Sequence, residues 1–399
     1  MEERVVTSVN APYLPLLDLW LRQSSPHLPG TPTLLCLDER SVQHCVARYP
    51  DAVRVATTRF VHAQDRHAFW LVRMEYMASL LEAGIDFIHT DLDAFWLQDP
   101  LPLLNKIDAD LVFSMDMGIP AHVRERWGFT LCCGFFRLRS TPASRKFFQA
   151  WQQRTSQLGD DQIALNELLS AQDLTWEHLP GMPQGVLQAS CVLGQKVLRI
   201  AVLPLALLPR VVPFYAQGAL LAHPWFERPL FAAYLDLLAR VMDRFGRLDP
   251  APEVAQDAPP ELDECSAATW RMLGVILAEE IAAPCLLLRG AMYGRAGMPL
   301  EALEDFRLAQ ARLGWNSGLR VLMAEALLLT GDRRQAADVL WPIARDRMVE
   351  LPVLRTSTML MRRARGALQA VFFLARALVH WRGRAFGFLL AWLRRRWSV

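Results

Sequence analysis

The sequence has little lysine, no recognisable cysteine pattern and no long apolar run. Only three of its 43 basic residues are lysine, and this excess of arginine is typical of a GC-rich bacterial genome. The seven cysteines show neither metal-ligand nor disulfide spacing, which favours a reducing cytosol. No stretch of about eighteen uncharged apolar residues occurs, so we expect no membrane-spanning helix. The first residues lack the apolar core of a signal peptide, and none is expected.

Signatures of several other enzyme classes are absent as well. The chain contains no glycine-rich phosphate loop, no nucleophile elbow and no zinc-ligand spacing. These absences argue against P-loop nucleotide hydrolases, serine hydrolases of the α/β type and zinc enzymes.

The charge is unevenly distributed along the chain. The formal net charge is +2, but residues 351–399 contain ten arginines and no Asp, Glu or Lys, so residues 1–350 carry −8. An acidic body argues against nucleic acid as its partner. The basic tail indicates an anionic partner, for which a membrane surface is the main candidate.

Residues 1–246 alternate strand and helix signals. Short β-branched or apolar runs predict strands, among them Ile85–His89, Asp110–Ser114 and Gly134–Leu138. Amphipathic stretches between them predict helices, among them Phe69–Ala83 and a short helix at Val42–Arg48 capped by Ser41. This alternation predicts an α/β domain with a mostly parallel sheet flanked by helices.

A Pro-rich linker at residues 247–265 precedes a purely helical pattern at 266–350. Glycines and small residues recur there at an interval of 34, as at Gly297 and Gly331, which resembles tetratricopeptide repeats. Two repeats cannot bury their faces alone, so we expect a helix at Ala267–Ala282 to cap one side. The alternative is a non-repetitive helical bundle.

The tail, residues 351–399, predicts two arginine-flanked apolar helices at Ala367–Trp381 and Ala385–Trp397. Such helices suit the headgroup plane of a membrane. The alternative is a basic helical cap on the repeats.

Two aspartates follow the strand predicted at Ile85–His89. Asp91 and Asp93 stand at i and i+2, where a turn lets both carboxylates approach one ligand at the carboxyl end of the strand. Mg²⁺ and Mn²⁺ prefer such oxygen ligands, and either ion stabilises a leaving diphosphate. By itself an Asp-x-Asp pair is common in exposed loops.

The surroundings of the pair resemble nucleotide-diphospho-sugar transferases of the family 77 type. The segment Gly84–Pro102 is similar to the family's strand, Asp-x-Asp, aromatic turn and Asp-Pro. Further matches are the Gly-Phe strand from Gly134, the Asp-Gln-x-x-x-Asn pattern of residues 161–166, and His223. The resemblance spans roughly residues 4–230 and implies a GT-A fold, a nucleotide-sugar donor, a divalent cation (Mn²⁺ or Mg²⁺) and net retention.

The resemblance also implies which residues hold the metal and the nucleotide. Asp93 is expected to coordinate the metal directly, and Asp91 to bind the ribose or the metal through water. His223 is expected to complete the metal shell, with a packing histidine as the alternative. Thr7 and Asn10 are expected to meet the base or ribose.

The sugar and the diphosphate have their own candidates. Asp161 and Gln162 are expected near the reacting carbon, where a carboxylate stabilises an oxocarbenium-like transition state or, as the alternative, acts as a nucleophile. Helix N-capping is a second role for Asp161. Arg73 is expected to face the diphosphate, or else to be an ordinary solvated residue.

Two features are less typical. Cys132 stands where the family has Asn, and a thiol cannot replace the paired donor and acceptor of an amide, so the sugar preference or the activity is expected to differ. Trp96 and Trp127 are candidate platforms for an acceptor sugar, with core packing as the more common role of such residues.

The sequence therefore predicts a cytoplasmic glycosyltransferase, peripheral on the inner membrane face. Its acceptor would be a glycan, a lipid-linked intermediate or a protein held by the repeats. The alternatives are a non-catalytic scaffold with partner-binding repeats, and a metal-dependent phosphohydrolase or nucleotidyltransferase, which lacks the further motif residues expected of that class.

Overall fold

The computed structural model describes residues 3–56, 66–210, 218–224, 230–248, 258–260, 270, 273–274, 283–346 and 351–380. The chain divides into two units, one of Met1–Trp225 with Arg247–Pro250 and one of Phe226–Gly246 with Ala251–Val399. Most of the linker predicted at 247–265, most of the helix predicted at Ala267–Ala282 and the tail helix predicted at Ala385–Trp397 lie outside the described residues. The predicted domain boundaries stay a prediction.

The first unit alternates strands and helices. Its described strands are β1 (Arg4–Val9), β2 (Thr33–Cys36), β3 (Val53–Ala56), β4 (Phe87–Thr90), β5 (Phe95–Trp96), β6 (Leu111–Asp116), β7 (Thr130–Leu138), β8 (Glu177–His178), β9 (Leu187–Leu193), β10 (Lys196–Leu203) and β11 (Leu221–Ala222). Its described α-helices are α1 (Leu14–Ser24), α2 (Glu39–Arg48), α3 (Arg66–Glu82), α4 (Leu101–Leu104), α5 (Ala121–Trp127), α6 (Pro142–Leu158) and α7 (Asp161–Ser170).

Nine of these strands form one sheet in the order β3-β2-β1-β4-β7-β6-β10-β9-β8. Strands β7 and β9 run opposite to the others, because β7 pairs antiparallel with β4 and β6, and β9 pairs antiparallel with β10 and β8. Apolar residues of α3, α6 and α7 pack on the sheet in one buried cluster. The predicted α/β fold with a mostly parallel, helix-flanked sheet is therefore confirmed, and its carboxyl edge is where ligands bind in such sheets.

Three local predictions were wrong. Helix α2 begins at Glu39, and Asp38 caps it by accepting from the Ser41 backbone N–H at 2.7 Å, so Ser41 is inside the helix as part of a capping box. Strand β7 begins at Thr130, before the predicted start at Gly134, because its first residues also pair with β6 beyond a register shift. Trp96 is fully buried against Phe135 and is not an acceptor platform.

Two pairings of the first unit were missed. Strand β9 forms an antiparallel pair with β10, and β5 forms a separate two-stranded sheet with β11. Strands of two residues leave no periodic pattern in a sequence, so β5 and β11 are recognisable only once they pair. The β5–β11 pair positions part of the candidate site.

The second unit is helical in its described residues. Its α-helices with defined bounds are α8 (Phe231–Phe245), α9 (Ala283–Arg295), α10 (Pro299–Leu313), α11 (Ser317–Leu329), α12 (Arg333–Leu340), α13 (Leu351–Arg365) and α14 (Ala367–His380). Among the described helices, none is long and apolar enough to cross a membrane.

Successive helix pairs of the second unit repeat with the predicted spacing. The second helices of two successive pairs, α10 and α12, begin at Pro299 and Arg333, an interval of 34 residues. Gly297 and Gly331 occupy the turn within each pair with φ of 76° and 87°, a conformation that favours glycine. The assignment to tetratricopeptide repeats stays a prediction.

Candidate functional site

Asp91 and Asp93 occupy a turn at the carboxyl end of β4. The Asp91 backbone N–H donates to the Gly134 carbonyl at 2.7 Å, and the Ala94 N–H donates back to the Asp91 carbonyl at 3.0 Å. The Trp20 indole then holds the Ala94 carbonyl at 2.9 Å. The turn is therefore held from both sides, and both carboxylates are only partly exposed.

His223 joins the two aspartates through the small β5–β11 sheet. Leu221 pairs with Trp96 and Ala222 with Phe95, which brings the residue after β11 beside the turn after β4. His223 is 3% exposed, and its Nε2 lies 3.3 Å from Asp93 Oδ1. One ligand atom from each of Asp91, Asp93 and His223 lies within 4.8 Å of the others. The structure thus assembles the three predicted metal ligands.

This donor set fits a small divalent cation. Two carboxylate oxygens and one imidazole nitrogen are ligands that Mn²⁺ accepts readily, and Mg²⁺ takes the oxygens. Ligands at about 2.1 Å from an octahedral ion stand about 3 Å apart, close to the separation of His223 Nε2 and Asp93 Oδ1.

Gly134 and Cys132 of β7 determine how the His223 ring sits. A Cβ at Gly134 would lie 1.9 Å from His223 Cε1, so only glycine leaves room for the ring. Cys132 Sγ lies 3.8 Å from His223 Nδ1, on the ring side away from Asp93. Hydrogen bonding at Nδ1 leaves Nε2 as the atom that faces a metal.

Charges around His223 oppose one another. Burial and Arg210 lower the pKa of His223, but Cys132 and Asp93 outweigh them and raise it to about 9. Burial raises the pKa of the Cys132 thiol, whereas Arg210 and His223 bring it below its usual value. The surroundings of His223 therefore favour a charged imidazole beside the two aspartates.

Arg73 is the centre of a buried charge cluster behind this group. Its Nη1 donates to Asp91 Oδ1 at 2.8 Å and lies 3.1 Å from His89 Nε2, and its Nη2 donates to Asp161 Oδ2. The side chain is 3% exposed, so Arg73 is not a solvated surface residue. Its Nε makes no hydrogen bond in the part of the chain that the structure describes.

One cation shared by two carboxylates gives them different pKa values. Burial raises the pKa of Asp91, but the Arg73 guanidinium outweighs it and holds the value well below its usual range. Burial raises the pKa of Asp161 above its usual value, despite Arg73. His89 is neutral near pH 7, because burial and Arg73 lower its pKa to about 4.

Asp161 and Gln162 open helix α7. Asp160 is the N-cap, since its side chain accepts from the Ile163 N–H at 2.9 Å, so Asp161 is the first helical residue and is turned towards Arg73. Gln162 accepts from the Cys133 N–H at 3.3 Å and donates to Asp116 Oδ2 at 3.1 Å. These contacts hold the start of α7 against β7.

Thr7 lies in the neighbouring strand β1, which is parallel to β4, and Asn10 follows that strand. Both are buried, together with Ser8 between them. Thr7 Oγ1, Ser8 Oγ and Asn10 Oδ1 have no hydrogen-bond partner within the described residues. Buried polar atoms without partners at a sheet edge are suited to a ligand.

Sequence reasoning missed Asp116, Arg210 and His89. Asp116 ends β6, two residues beyond the predicted end of that strand, and Arg210 Nε lies 3.4 Å from Asp116 Oδ1. Neither Nε nor Nη1 of Arg210 makes a hydrogen bond within the described part of the chain. A longer strand prediction could have found Asp116, whereas no local pattern marks Arg210.

Part of the chain that carries this site is similar to known proteins. Residues 31–206 match the family model of nucleotide-diphospho-sugar transferases. Two relatives from Arabidopsis thaliana are UDP-D-xylose:L-fucose alpha-1,3-D-xylosyltransferases. MGP4 is 29% identical over 25% of this chain and 30% of its own length, and the second is 25% identical over 37% and 45%. The chain therefore spans less than half the length of either relative.

Solved structures give weaker likenesses. The galactosyltransferase LgtC, with donor and acceptor sugar analogues, covers 63% of this chain and 98% of its own at 13% identity and a TM-score of 0.38. Mouse xyloside xylosyltransferase 1 covers 53% and 88% at 12% identity and a TM-score of 0.30. The family match supports the predicted transferase family, and the narrower resemblance to family 77 stays a prediction.

Proposed function

We propose that this protein is a metal-dependent glycosyltransferase that moves a sugar from a nucleotide-diphosphate donor to a glycan acceptor, with net retention at the anomeric carbon. The observation that carries the proposal is the Asp91, Asp93 and His223 group beside the Arg73–Asp161 pair, at the carboxyl edge of the sheet. The match of residues 31–206 to nucleotide-diphospho-sugar transferases supports the same class.

The metal would be Mn²⁺ or Mg²⁺, held by Asp93, His223 and Asp91. When bound, such an ion neutralises negative charge on the leaving diphosphate. Asp91 keeps one oxygen on Arg73 and is ionised over the whole neutral range, so it needs no deprotonation to serve as a ligand.

The nucleoside would bind next to the metal group, at the carboxyl end of β1. Thr7, Ser8 and Asn10 offer hydroxyl and amide groups whose oxygens are buried without partners in the described structure. A ribose or a base satisfies such groups with its own hydroxyls and ring atoms, which removes the cost of leaving them unpaired.

The sugar would lie between Asp161 and the Gln162–Asp116–Arg210 chain. Asp161 supplies a carboxylate that stabilises positive charge at the anomeric carbon, with its position set by Arg73. Gln162 donates to Asp116, and this hydrogen bond fixes the positions of both side chains. Held in this way, the two side chains would orient the hydroxyls of the sugar. Arg210 Nη1, which makes no hydrogen bond to any residue that the structure describes, would donate to a sugar or phosphate oxygen.

The donor sugar is proposed to be a pentose on UDP, tested first with UDP-xylose. The two curated relatives are named for UDP-D-xylose, and this chain matches only part of each. Cys132 Sγ lies 3.8 Å from His223 Nδ1, and the charge of Arg210 acts on its thiol. The thiol is proposed to take part in selecting the sugar. A lipid-linked or protein-linked glycan would present the acceptor hydroxyl.

Binding and hydrolysis of donors test the proposal. Purified protein is titrated with UDP-xylose, UDP-glucose, UDP-galactose and GDP-mannose, with Mn²⁺, with Mg²⁺ or with chelator, and slow hydrolysis is followed in parallel. We expect metal-dependent binding of one UDP-sugar. Turnover should be about 10³-fold lower in Asp93→Ala, because losing a metal ligand should remove about 4 kcal/mol of charge stabilisation in the transition state.

Asp173→Ala is the matched control, because Asp173 is a fully exposed aspartate of the same unit. It should bind and hydrolyse the donor like the parent protein. If no donor binds with either metal, the transferase proposal fails and a non-catalytic scaffold with partner-binding repeats becomes the better explanation.

A further inference from the structure

Helix α14 has two apolar faces, and only one of them is covered by residues that the structure describes. Ala370, Phe373 and Ala377 are buried, and the Phe373 ring lies 5.8 Å from the Trp341 ring. The other face holds Leu368, Val371 and Phe372, which are 69%, 63% and 58% exposed. Because they stand at i, i+3 and i+4, these three side chains form one stripe along the helix. The stripe is called the outer apolar stripe below.

The segment that carries the outer apolar stripe has arginines but no acidic residue and no lysine. Arg362, Arg363 and Arg365 are exposed in the last turn of α13, and Arg376 is exposed on α14. The whole segment 351–399 contains ten arginines and no acidic residue. An exposed apolar stripe in a segment whose only charged side chains are arginines is the composition of a helix that lies in a membrane interface.

We propose that the outer apolar stripe of α14 docks on an anionic lipid surface. Leu368, Val371 and Phe372 enter the boundary between headgroups and acyl chains, and the neighbouring arginines contact lipid phosphates. Charge complementarity favours this occupant over a second copy of the chain, because two such helices would bring like charges together without an acidic partner. The proposal does not depend on the transferase activity.

A vesicle-binding experiment on the full chain tests it. The protein is sedimented with vesicles of phosphatidylcholine alone and of phosphatidylcholine with 30% phosphatidylglycerol. We expect at least about tenfold tighter binding to the anionic vesicles, falling as salt rises, because counterions screen the arginines. Leu368→Glu puts a negative charge in the stripe and should lower binding about tenfold or more.

Leu300→Glu is the matched control, since Leu300 is also 69% exposed and stands on α10 of the same unit. It should bind anionic vesicles like the parent protein, and both variants should keep the parent's donor binding. Equal binding to neutral and anionic vesicles, no binding to either, or equal binding of Leu368→Glu and Leu300→Glu would overturn the proposal. A lipid-free dimer that only Leu368→Glu dissociates would assign the stripe to a second copy instead.

Discussion

Two arginine–aspartate pairs, a buried one in the α/β unit and a partly exposed one in the helical unit, are built differently. In the helical unit, Arg289 donates from Nε and Nη2 to the two oxygens of Asp305 at 2.8 and 2.7 Å, and so joins α9 to α10. In the α/β unit, Arg73 divides its donors among Asp91, Asp161 and His89 and keeps a buried Nε without a partner in the described structure. In the first pair both carboxylate oxygens of Asp305 are paired with Arg289, whereas in the second Arg73 keeps a donor without a partner in the described structure.

The difference separates a structural ion pair from a functional one. A bidentate pair satisfies both oxygens of the carboxylate with one guanidinium, which is the geometry of a structural contact. A cation shared by two carboxylates at a sheet edge costs desolvation that is not fully offset, and such arrangements are typical of active sites. The predictions below compare matched changes in the two units.

The largest effect is expected from removing the shared cation. Arg73→Met leaves the buried Asp161 and the partly exposed Asp91 without their shared cation, which should cost about 3–5 kcal/mol of unfolding free energy and abolish donor turnover. Arg289→Met should cost less, because Arg289 is a quarter exposed, and should leave donor turnover unchanged. Urea unfolding and donor hydrolysis measure both.

Arg73→Lys provides a second variant in case Arg73→Met does not fold. It keeps the charge but not the fork that reaches both aspartates, so it should fold and still lose most turnover. Full turnover in Arg73→Lys, or equal losses in Arg73→Met and Arg289→Met, would remove the distinction between the two pairs.

Two glycines allow close approach in the two units, with different consequences. Gly134→Ala places a methyl 1.9 Å from His223 Cε1, and Gly290→Ala places one 2.6 Å from Phe306 Cε1. Each should cost about 1–3 kcal/mol of stability through overpacking. Only Gly134→Ala should also weaken Mn²⁺ binding, measured by titration with electron paramagnetic resonance.

Gly30→Ala is the control for both glycine variants, because a Cβ at Gly30 meets nothing within 4 Å. It should change neither stability nor metal affinity. Equal Mn²⁺ affinity in Gly134→Ala and Gly290→Ala would show that the His223 position is not what holds the metal.

Cys132→Ala should have a smaller effect, confined to the site. Losing the sulfur beside His223 Nδ1 frees the ring to turn, and a change of this kind lowers metal affinity by about 10–100-fold. Cys191→Ala, a partly exposed cysteine on β9, should not change the affinity. If both variants bind Mn²⁺ like the parent protein, Cys132 does not position His223.

The smallest effect is expected at helix N-caps, where the two units should behave alike. Asp160 caps α7 through the Ile163 N–H, and Asn316 caps α11 through the Leu319 N–H. Asp160→Ala and Asn316→Ala should each cost about 1 kcal/mol. Thermal unfolding measures both, and a loss of several kcal/mol at either position would mean that the cap has a further role.

Local patterns predicted much of the α/β unit. The alternation of short apolar runs and amphipathic stretches predicted the strand and helix order, and the Asp-x-Asp pair after β4 predicted the edge at which the site lies. Errors occurred where two signals competed, as at α2, where both Asp38 and Ser41 are good N-cap residues and only the hydrogen bond from Ser41 N–H decides between them.

Other parts of the site depend on residues far apart in sequence. Arg210 forms an ion pair with Asp116, and Arg73 forms one with Asp161. No periodic pattern in the sequence predicts either ion pair. Asp161 has a cap-like sequence position, but Asp160 takes the cap and so releases Asp161 for Arg73. The chemistry of a side chain is local, whereas its partner is set by which elements pack together.

By itself the sequence determined the α/β class, the helical second half, the 34-residue spacing and the carboxylate pair, because hydrophobic period and turn chemistry act over a few residues. Only the tertiary structure decided that the β5–β11 pair carries His223 to Asp93, that Gly134 makes room for the ring, and that Arg73 is shared between Asp91 and Asp161. Those contacts arise from strand pairing and close packing between distant segments, and neither leaves a mark in any short stretch of the chain.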